Sequence, residues 1–374
     1  MDASDTLINS AQSEARGIAL APAMAATNSQ RLKQLDGWRA VSVVFVILHH
    51  IGYYQHPRLL THFPGLGHLM YYWGPLGVKI FFVISGFVIC RLLVSEESRY
   101  GSVSLKAFYY RRAFRIIPPL LIYLCTVFLL LQLGLIVENG RAIFDAGLFL
   151  SDLRFPPRSW LVGHTWSLAV EEQFYLVFPA MWILLPVRWR SRAFIGVCIL
   201  CAIFYLPSAF TTPDPLFFGD ARAGFICISC GVLMAIHEGR VRSMAARVPN
   251  GVVVLVALIL VLHPAGEANF KAWVYEGLLA PPAIALVLLS TLERESWLRS
   301  LLCCKAAQAI GITSYGIYLW QQLFTAPARV FTGYGQVILL FPLLCVIVPL
   351  SYFLVEKPAM RYGKGLSRRV RLSH

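Results

Sequence analysis

About ten stretches of this chain, near 40–56, 74–95, 116–136, 166–186, 193–210, 222–238, 249–263, 276–292, 309–328 and 337–356, are apolar over a length that spans a bilayer. A helix needs roughly 20 such residues to cross the hydrocarbon core. Composition agrees, with 57% hydrophobic and 14% charged residues among 374. Soluble domains run at about 45–50% apolar and about 25% charged. The net charge of +14 raises the question of nucleic acid, but its placement answers it. With the N-terminus cytoplasmic, most lysines and arginines fall in inner segments, among them Arg91, Arg111, Arg188, Arg240, Arg294 and Lys357. Every inner loop is then basic, as the positive-inside rule requires. The reading is an all-α polytopic membrane bundle of about ten transmembrane helices with both termini cytoplasmic. The basic excess is mostly topology, no nucleic-acid partner is expected, and a smaller share is left for an anionic ligand.

Residues 1–33, rich in Ala, Ser, Asn and Gln, read as a disordered cytoplasmic tail. The stretch "RGIALAPAMAA" is too short and Pro-interrupted for a cleaved signal peptide. Residues 34–358 form one membrane domain without internal repeats, and 359–374 a basic cytoplasmic tail lying on anionic headgroups. Cys198/Cys201 and Cys227/Cys230 have zinc-like spacing, but the topology puts the pairs at opposite ends of neighbouring helices, more than about 10 Å apart. They read as small packing residues. His56, His62 and His68 are unevenly spaced loop histidines. No metal site is expected.

The polar groups inside the apolar runs carry the chemistry. In "LDGWRAVSVVFVILHH" (35–50) eleven residues separate Arg39 from His50, close to three helical turns. The two side chains share a face, His50 about 16 Å deeper than Arg39. They are either a snorkelling arginine and a hydrogen-bonded core histidine, or a functional pair, since ionisable groups in a bilayer are expensive. In "HTWSLAVEEQFYLVFP" (164–179), Ser167, Glu171, Phe174 and Tyr175 share a face, and at least one of Glu171 and Glu172 needs a cavity or a partner. In "SYGIYLWQQ" (314–322), Ser314, Tyr318, Gln321 and Gln322 form either a polar seam between helices or the wall of an acceptor site. In "FYYRRAFRIIPP" (108–119), Arg112 and Arg115 suit capture of phosphates, or anchor the inner face.

Taken together these segments resemble the acyltransferase-3 family of integral membrane acyltransferases. The resemblance covers nearly all of Leu35 to Pro358: Arg39 and His50 within "LDGWRA…HH", "GVKIFFVISGF", "RRAFRIIP", "WSLAVEEQFYLVFP", "SYGIYLWQQ" and "FLVEKP" stand in the family's order. It implies transfer of an acyl group, usually acetyl, from cytoplasmic acyl-CoA to a hydroxyl of a bacterial surface polysaccharide, lipid-linked oligosaccharide or other glycoconjugate. The site is then an inner-membrane, multi-pass domain with no bound cofactor, acetyl-CoA being a substrate and membrane lipids the surroundings. Arg39, Arg112 and Arg115 would take the donor's phosphates, and His50 would act as base or carry the acyl group. Glu171 or Glu172 would orient the imidazole. Ser85 and Gly86 would either bind the thioester or pack helices, and Ser314, Tyr318, Gln321 and Gln322 remain acceptor-site candidates. Two positions depart from the family's habit: Lys79 stands where an acid is common, and Gln321 where a histidine is common. The alternative from another class is a transporter or exporter of lipid-linked sugar, using the intramembrane charges as an ion relay.

Overall fold

The computed structural model describes residues 32–55, 62, 64–153, 159–205, 221–262, 274–332 and 337–372. The expected N-terminal tail (apart from its last residues) and His56 lie outside these residues.

The protein is helical. Among the described residues, the one β-type pairing is an isolated bridge between Ile136 and Phe331. Helix α1 (Lys33–His49) passes at His50 into a π-helical turn, His50–Gln55. Then come α2 (Pro64–Tyr100), α3 (Leu105–Gln132), α4 (Gly140–Gly147), α5 (Trp160–Gly163), α6 (Thr165–Leu184) and α7 (Val187–Tyr205). They are followed by α8 (Ala221–Ile236), α9 (Glu238–Arg247), α10 (Asn250–Leu262), α11 (Ala280–Glu293), α12 (Trp297–Leu302) and α13 (Lys305–Ile312). The last are α14 (Ser314–Phe324), α15 (Leu344–Ser351) and α16 (Lys357–Leu372). Local signals set several starts: Ser104 Oγ accepts from Ala107 N at 3.3 Å to cap α3, and Ser159 Oγ accepts from Val162 N at 3.3 Å to cap α5.

Among the described residues, three stretches are long and apolar enough to cross a membrane on their own: Gly65–Tyr100, Leu105–Gln132 and Leu340–Arg371. Arg222–Ile236 and Glu238–Arg247, bent by 94°, form either a broken span or a re-entrant loop. The other segments expected as spans are helical too, but shorter, more polar or interrupted. Exposed apolar side chains coat the outside of several helices, including Leu121 and Phe128 on α3, Ile199 and Ile203 on α7, and Leu255 and Ile259 on α10. An apolar coat of this kind needs lipid to cover it. The chain is a helical membrane protein.

Inside that coat the buried side chains form two clusters. One joins α1, α2, α6, α8 and α11 through Val43, Val83, Phe87, Phe178, Ile228 and Leu288. The other joins α3, α5, α14 and α15 through Leu120, Tyr123, Leu161, Leu319 and Val348. One end of the bundle is pinned by ion pairs on the last turns of α2. Arg91 meets Glu238 at 3.0 Å, Glu96 holds Arg111 at 2.7 Å and also Arg371, and Glu97 holds Arg190 at 2.7 Å.

Gly86 and Gly231 face each other where α2 crosses α8. A Cβ on Gly86 would strike the Ile228 carbonyl, and one on Gly231 would strike the Val83 carbonyl and lie 2.8 Å from Phe87 N. Backbone cannot rotate aside, so this crossing requires glycine on both helices. Gly86 thus packs helices and is not among the residues that line the cavity described below. Gly86→Val should cost about 1–3 kcal/mol, read as a lower thermal midpoint in detergent. Gly196→Ala, where a Cβ meets nothing within 4 Å, should leave the midpoint unchanged or slightly raised.

The cysteine expectation is corrected. The Cys198 thiol of α7 lies beside Ser229 and close to Cys227 of α8, because the two helices pack side by side with that stretch at the same level. No group of three metal-ligating side chains occurs among the described residues. The basic tail is also more structured than a headgroup-bound segment requires. As α16 it lies against α3, with Gly363 so close that a Cβ would sit 2.7 Å from Phe114 Cβ.

Candidate active site

The two buried clusters meet around a cavity of about 300 Å³. Its apolar walls include Val78, Phe81, Phe82 and Ile89 from α2 and Ile116 from α3. Its lining carries five cations from α1, α3 and α16, namely Arg39, Arg111, Arg112, Arg115 and Lys364. Ser85, Glu171, Tyr175 and Ser314 line it too, Glu171 and Tyr175 in contact with Arg112. Ser167 and Tyr318 also line it, their hydroxyls 2.6 Å apart. Tyr318 also donates to the His164 carbonyl at 2.8 Å.

The cations are not equivalent. Arg112 is held by both acidic residues of α6, Nη2 lying 3.3 Å from Glu171 Oε1 and Nε 3.1 Å from Glu172 Oε1. Its guanidinium stacks 3.6 Å from the centre of the Tyr175 ring. Glu171 in turn accepts from the hydroxyls of Ser85 and Tyr175. Arg115 is one helical turn on, near enough to Arg39 and Arg112 to be repelled by them. It makes no ion pair with a described carboxylate, and Glu356 stands nearby as a buried acid whose Oε1 has no hydrogen-bond partner. Arg39 has only a long contact to Asp36, 3.4 Å. Among the described residues the cavity lining thus holds more cations than carboxylates, a balance fit for an anion.

His50 is not in the cavity wall. Its Nδ1 lies 3.0 Å from Gln321 Oε1, and its ring meets the Trp160 ring edge-on at 5.6 Å between centroids. Gln321 follows the cavity-lining Tyr318 by three residues, so the imidazole's partner sits about 4.5 Å further along α14 than Tyr318. The expectation that Glu171 or Glu172 orients His50 is corrected: among the described residues both carboxylates serve Arg112, and neither hydrogen-bonds the imidazole. Ser85 is committed to Glu171 and Tyr175. The four acceptor-site candidates divide, with Ser314 and Tyr318 lining the cavity and Gln321 and Gln322 lying beyond it around His50. Lys79 is close to Cys227 and does not line the cavity.

Arg111, Lys364, Trp160, His164 and Glu356 were not singled out by the sequence reading. Arg111 had a signal in the doubled arginine of "YYRRAFR". Lys364 had none, because it reaches the cavity only through the packing of α16 on α3.

The site is an apolar cavity lined by five cations inside a helical membrane protein, with a hydrogen-bonded histidine near it. The profile of the acyltransferase-3 family, described as "Acyltransferase domain", matches residues 32–356, and the chain belongs to that family. It is 26% identical over 369 residues to the peptidoglycan O-acetyltransferase OatA of Listeria monocytogenes serovar 1/2a, covering 88% of this chain and 56% of that protein. It is 27% identical over 367 residues to the O-acetyltransferase OatA of Staphylococcus aureus strain NCTC 8325, covering 89% of this chain and 58% of that protein. The chain thus spans somewhat over half the length of these relatives. No solved structure matches it.

Proposed function

We propose that the protein is a membrane-embedded O-acyltransferase, moving an acyl group, acetyl in the simplest case, from cytoplasmic acyl-CoA to a glycan hydroxyl. The observation that carries this reading is the cavity itself, lined by five cations and by Tyr318, which stands one helical turn from the Gln321 that meets His50. Acyl-CoA combines a strongly anionic nucleotide with a thin arm that ends in a thioester. The arm fits a cavity of about 300 Å³, and the nucleotide stays among Arg39, Arg111, Arg115 and Lys364. These cations are assigned to the cytoplasmic side, together with both termini. The acceptor approaches His50 from the opposite side; the names of the relatives make a cell-wall or surface glycan the class to try first.

In this reading the His50 imidazole takes the proton of the acceptor hydroxyl as its oxygen attacks the thioester carbonyl. The carbon–sulfur bond breaks, and the imidazolium returns the proton to the departing thiolate. Arg115 and Arg39 hold phosphate. Arg112 keeps Glu171 and Glu172 paired and the wall of the cavity in place.

The test is transfer of labelled acetyl from acetyl-CoA to isolated cell-envelope glycans by the purified protein in lipid. Label on the glycan is expected, and a purified protein that binds no coenzyme A would overturn the reading in favour of a transporter. Arg115→Gln removes a charge-assisted contact to phosphate, so Kd for coenzyme A should rise about tenfold or more with kcat nearly unchanged. The difference should shrink as salt rises. An unaltered Kd would remove Arg115 from the donor site.

A further inference from the structure

Neutral imidazole has two tautomers, and only the nitrogen without a hydrogen can accept a proton. Which tautomer His50 adopts is set by what faces Nδ1. The facing atom belongs to Gln321, whose side-chain amide can present either a donor or an acceptor.

A chain of acceptor-only groups removes that freedom. The Trp160 carbonyl can only accept, so at 2.8 Å it draws the amide nitrogen of Gln322. Gln322 Oε1 is thereby turned to Gln321, whose Nε2 donates to it at 2.9 Å. A second acceptor-only group, the Tyr318 carbonyl, lies 3.5 Å from the same Nε2. Gln321 Oε1 is left facing His50 Nδ1 at 3.0 Å, while the Thr325 hydroxyl donates to the Gln321 backbone carbonyl at 3.0 Å. Reversing either amide would set like against like in a buried place: Gln321 is 0% and Gln322 3% exposed. An unsatisfied buried polar group costs more than an ordinary hydrogen bond gains. The far end is fixed as well, since Trp160 Nε1 donates back to the Gln322 carbonyl at 3.1 Å.

We propose that Gln321 and Gln322 are positioning residues: an amide relay, anchored on the Trp160 carbonyl, that holds His50 as the Nδ1–H tautomer and so makes Nε2 the nitrogen that takes the acceptor's proton. The proposal rests on the catalytic reading of His50, and its experiment separates the two.

The first measurement is magnetic-resonance assignment of the His50 tautomer in the full-length protein, labelled with ¹⁵N-histidine and reconstituted in lipid. The His50 signal is identified as the one lost in His50→Asn. Nδ1–H is expected, and Nε2–H in the wild type overturns the relay whatever the kinetics. The second is a substitution series at one site. Gln321→Glu keeps an acceptor of the same length, whereas Gln321→Met keeps the volume without one. Gln321→Met should lower kcat about 10²-fold or more with KM for acyl-CoA within about twofold, and Gln321→Glu should recover most of that loss. A purely structural role predicts the opposite order, because a buried carboxylate disturbs packing more than methionine does; Glu no better than Met would overturn the proposal. Gln322→Met, which frees the Gln321 amide to turn, should mix the tautomers and lower kcat by a smaller factor. An Nδ1–H signal in a protein whose transfer is indifferent to His50→Asn would overturn the catalytic reading and, with it, the role of the relay.

Discussion

His50→Ala should lower kcat for acyl transfer about 10²–10⁴-fold, the range that a general base contributes, while coenzyme A binds with an unchanged Kd. The second half of that statement comes from the geometry. The cavity is walled by Arg39, Arg115, Glu171 and Tyr318 but not by His50, so truncating the imidazole leaves in place the cations assigned to the donor's phosphates, which carry most of its binding. A mutation of the donor site would do the reverse and raise Kd or KM. Chromatography of the variant in detergent, and a thermal midpoint close to wild type, establish that the loss is not unfolding. Equilibrium binding of coenzyme A then gives the decisive number. A variant that transfers at the wild-type rate would remove His50 from the reaction. A variant with weakened coenzyme A binding and normal kcat would move His50 into the donor site and contradict the placement described here.

Much of this arrangement was legible in the sequence, for a physical reason. Apolar length is a local property, so among the described residues the expected apolar segments are largely helical, and Arg39, Arg112 and Arg115 do line one cavity. Periodicity also put Ser167, Glu171, Phe174 and Tyr175 on one face of α6; the cavity wall holds the three polar ones, and Phe174 packs in the buried core instead. What sequence could not give was partnership across helices. Glu171 and Glu172 looked suited to an imidazole, yet α3 brings Arg112 to them, and a guanidinium binds two carboxylates where an imidazole binds one. Gln321 looked like a departure, because an amide cannot carry a proton. The contact with His50, 271 residues away in the chain, shows what an amide oxygen can do instead. Gly86 was open between ligand and packing until the carbonyl of Ile228 on another helix closed the question. Lys364 lay in a tail with no periodic relation to the membrane domain, and only the packing of α16 on α3 brings it to the cavity.

Arg112→Leu should be the most damaging single change to the fold. The substitution removes the one cation that lies between two adjacent carboxylates, at 3.3 Å and 3.1 Å, and with it the stacking on Tyr175. The Glu171 and Glu172 side chains are 25% and 15% exposed, so water relieves only part of their repulsion. Breaking a buried pair from one side costs about 3–5 kcal/mol, and partial exposure places this case toward the lower figure. Arg112→Lys should not rescue it, because an ammonium on a flexible stem cannot bridge both acids and stack on a ring. The damage should instead be repaired from the acidic side. Arg112→Leu combined with Glu171→Gln and Glu172→Gln should recover a large part of the thermal midpoint and of the folded yield, whereas the two Gln changes alone should give a smaller loss than Arg112→Leu. A triple variant no more stable than Arg112→Leu would show that the arginine stabilises the fold through something other than these carboxylates. The same triple variant, once folded, tests what Arg112 does for the donor. With its charge already spent on Glu171 and Glu172, Arg112 has little left for a phosphate, so coenzyme A affinity should fall less than in Arg115→Gln. A loss as large as that of Arg115→Gln would return Arg112 to the donor's phosphates, as the sequence first implied.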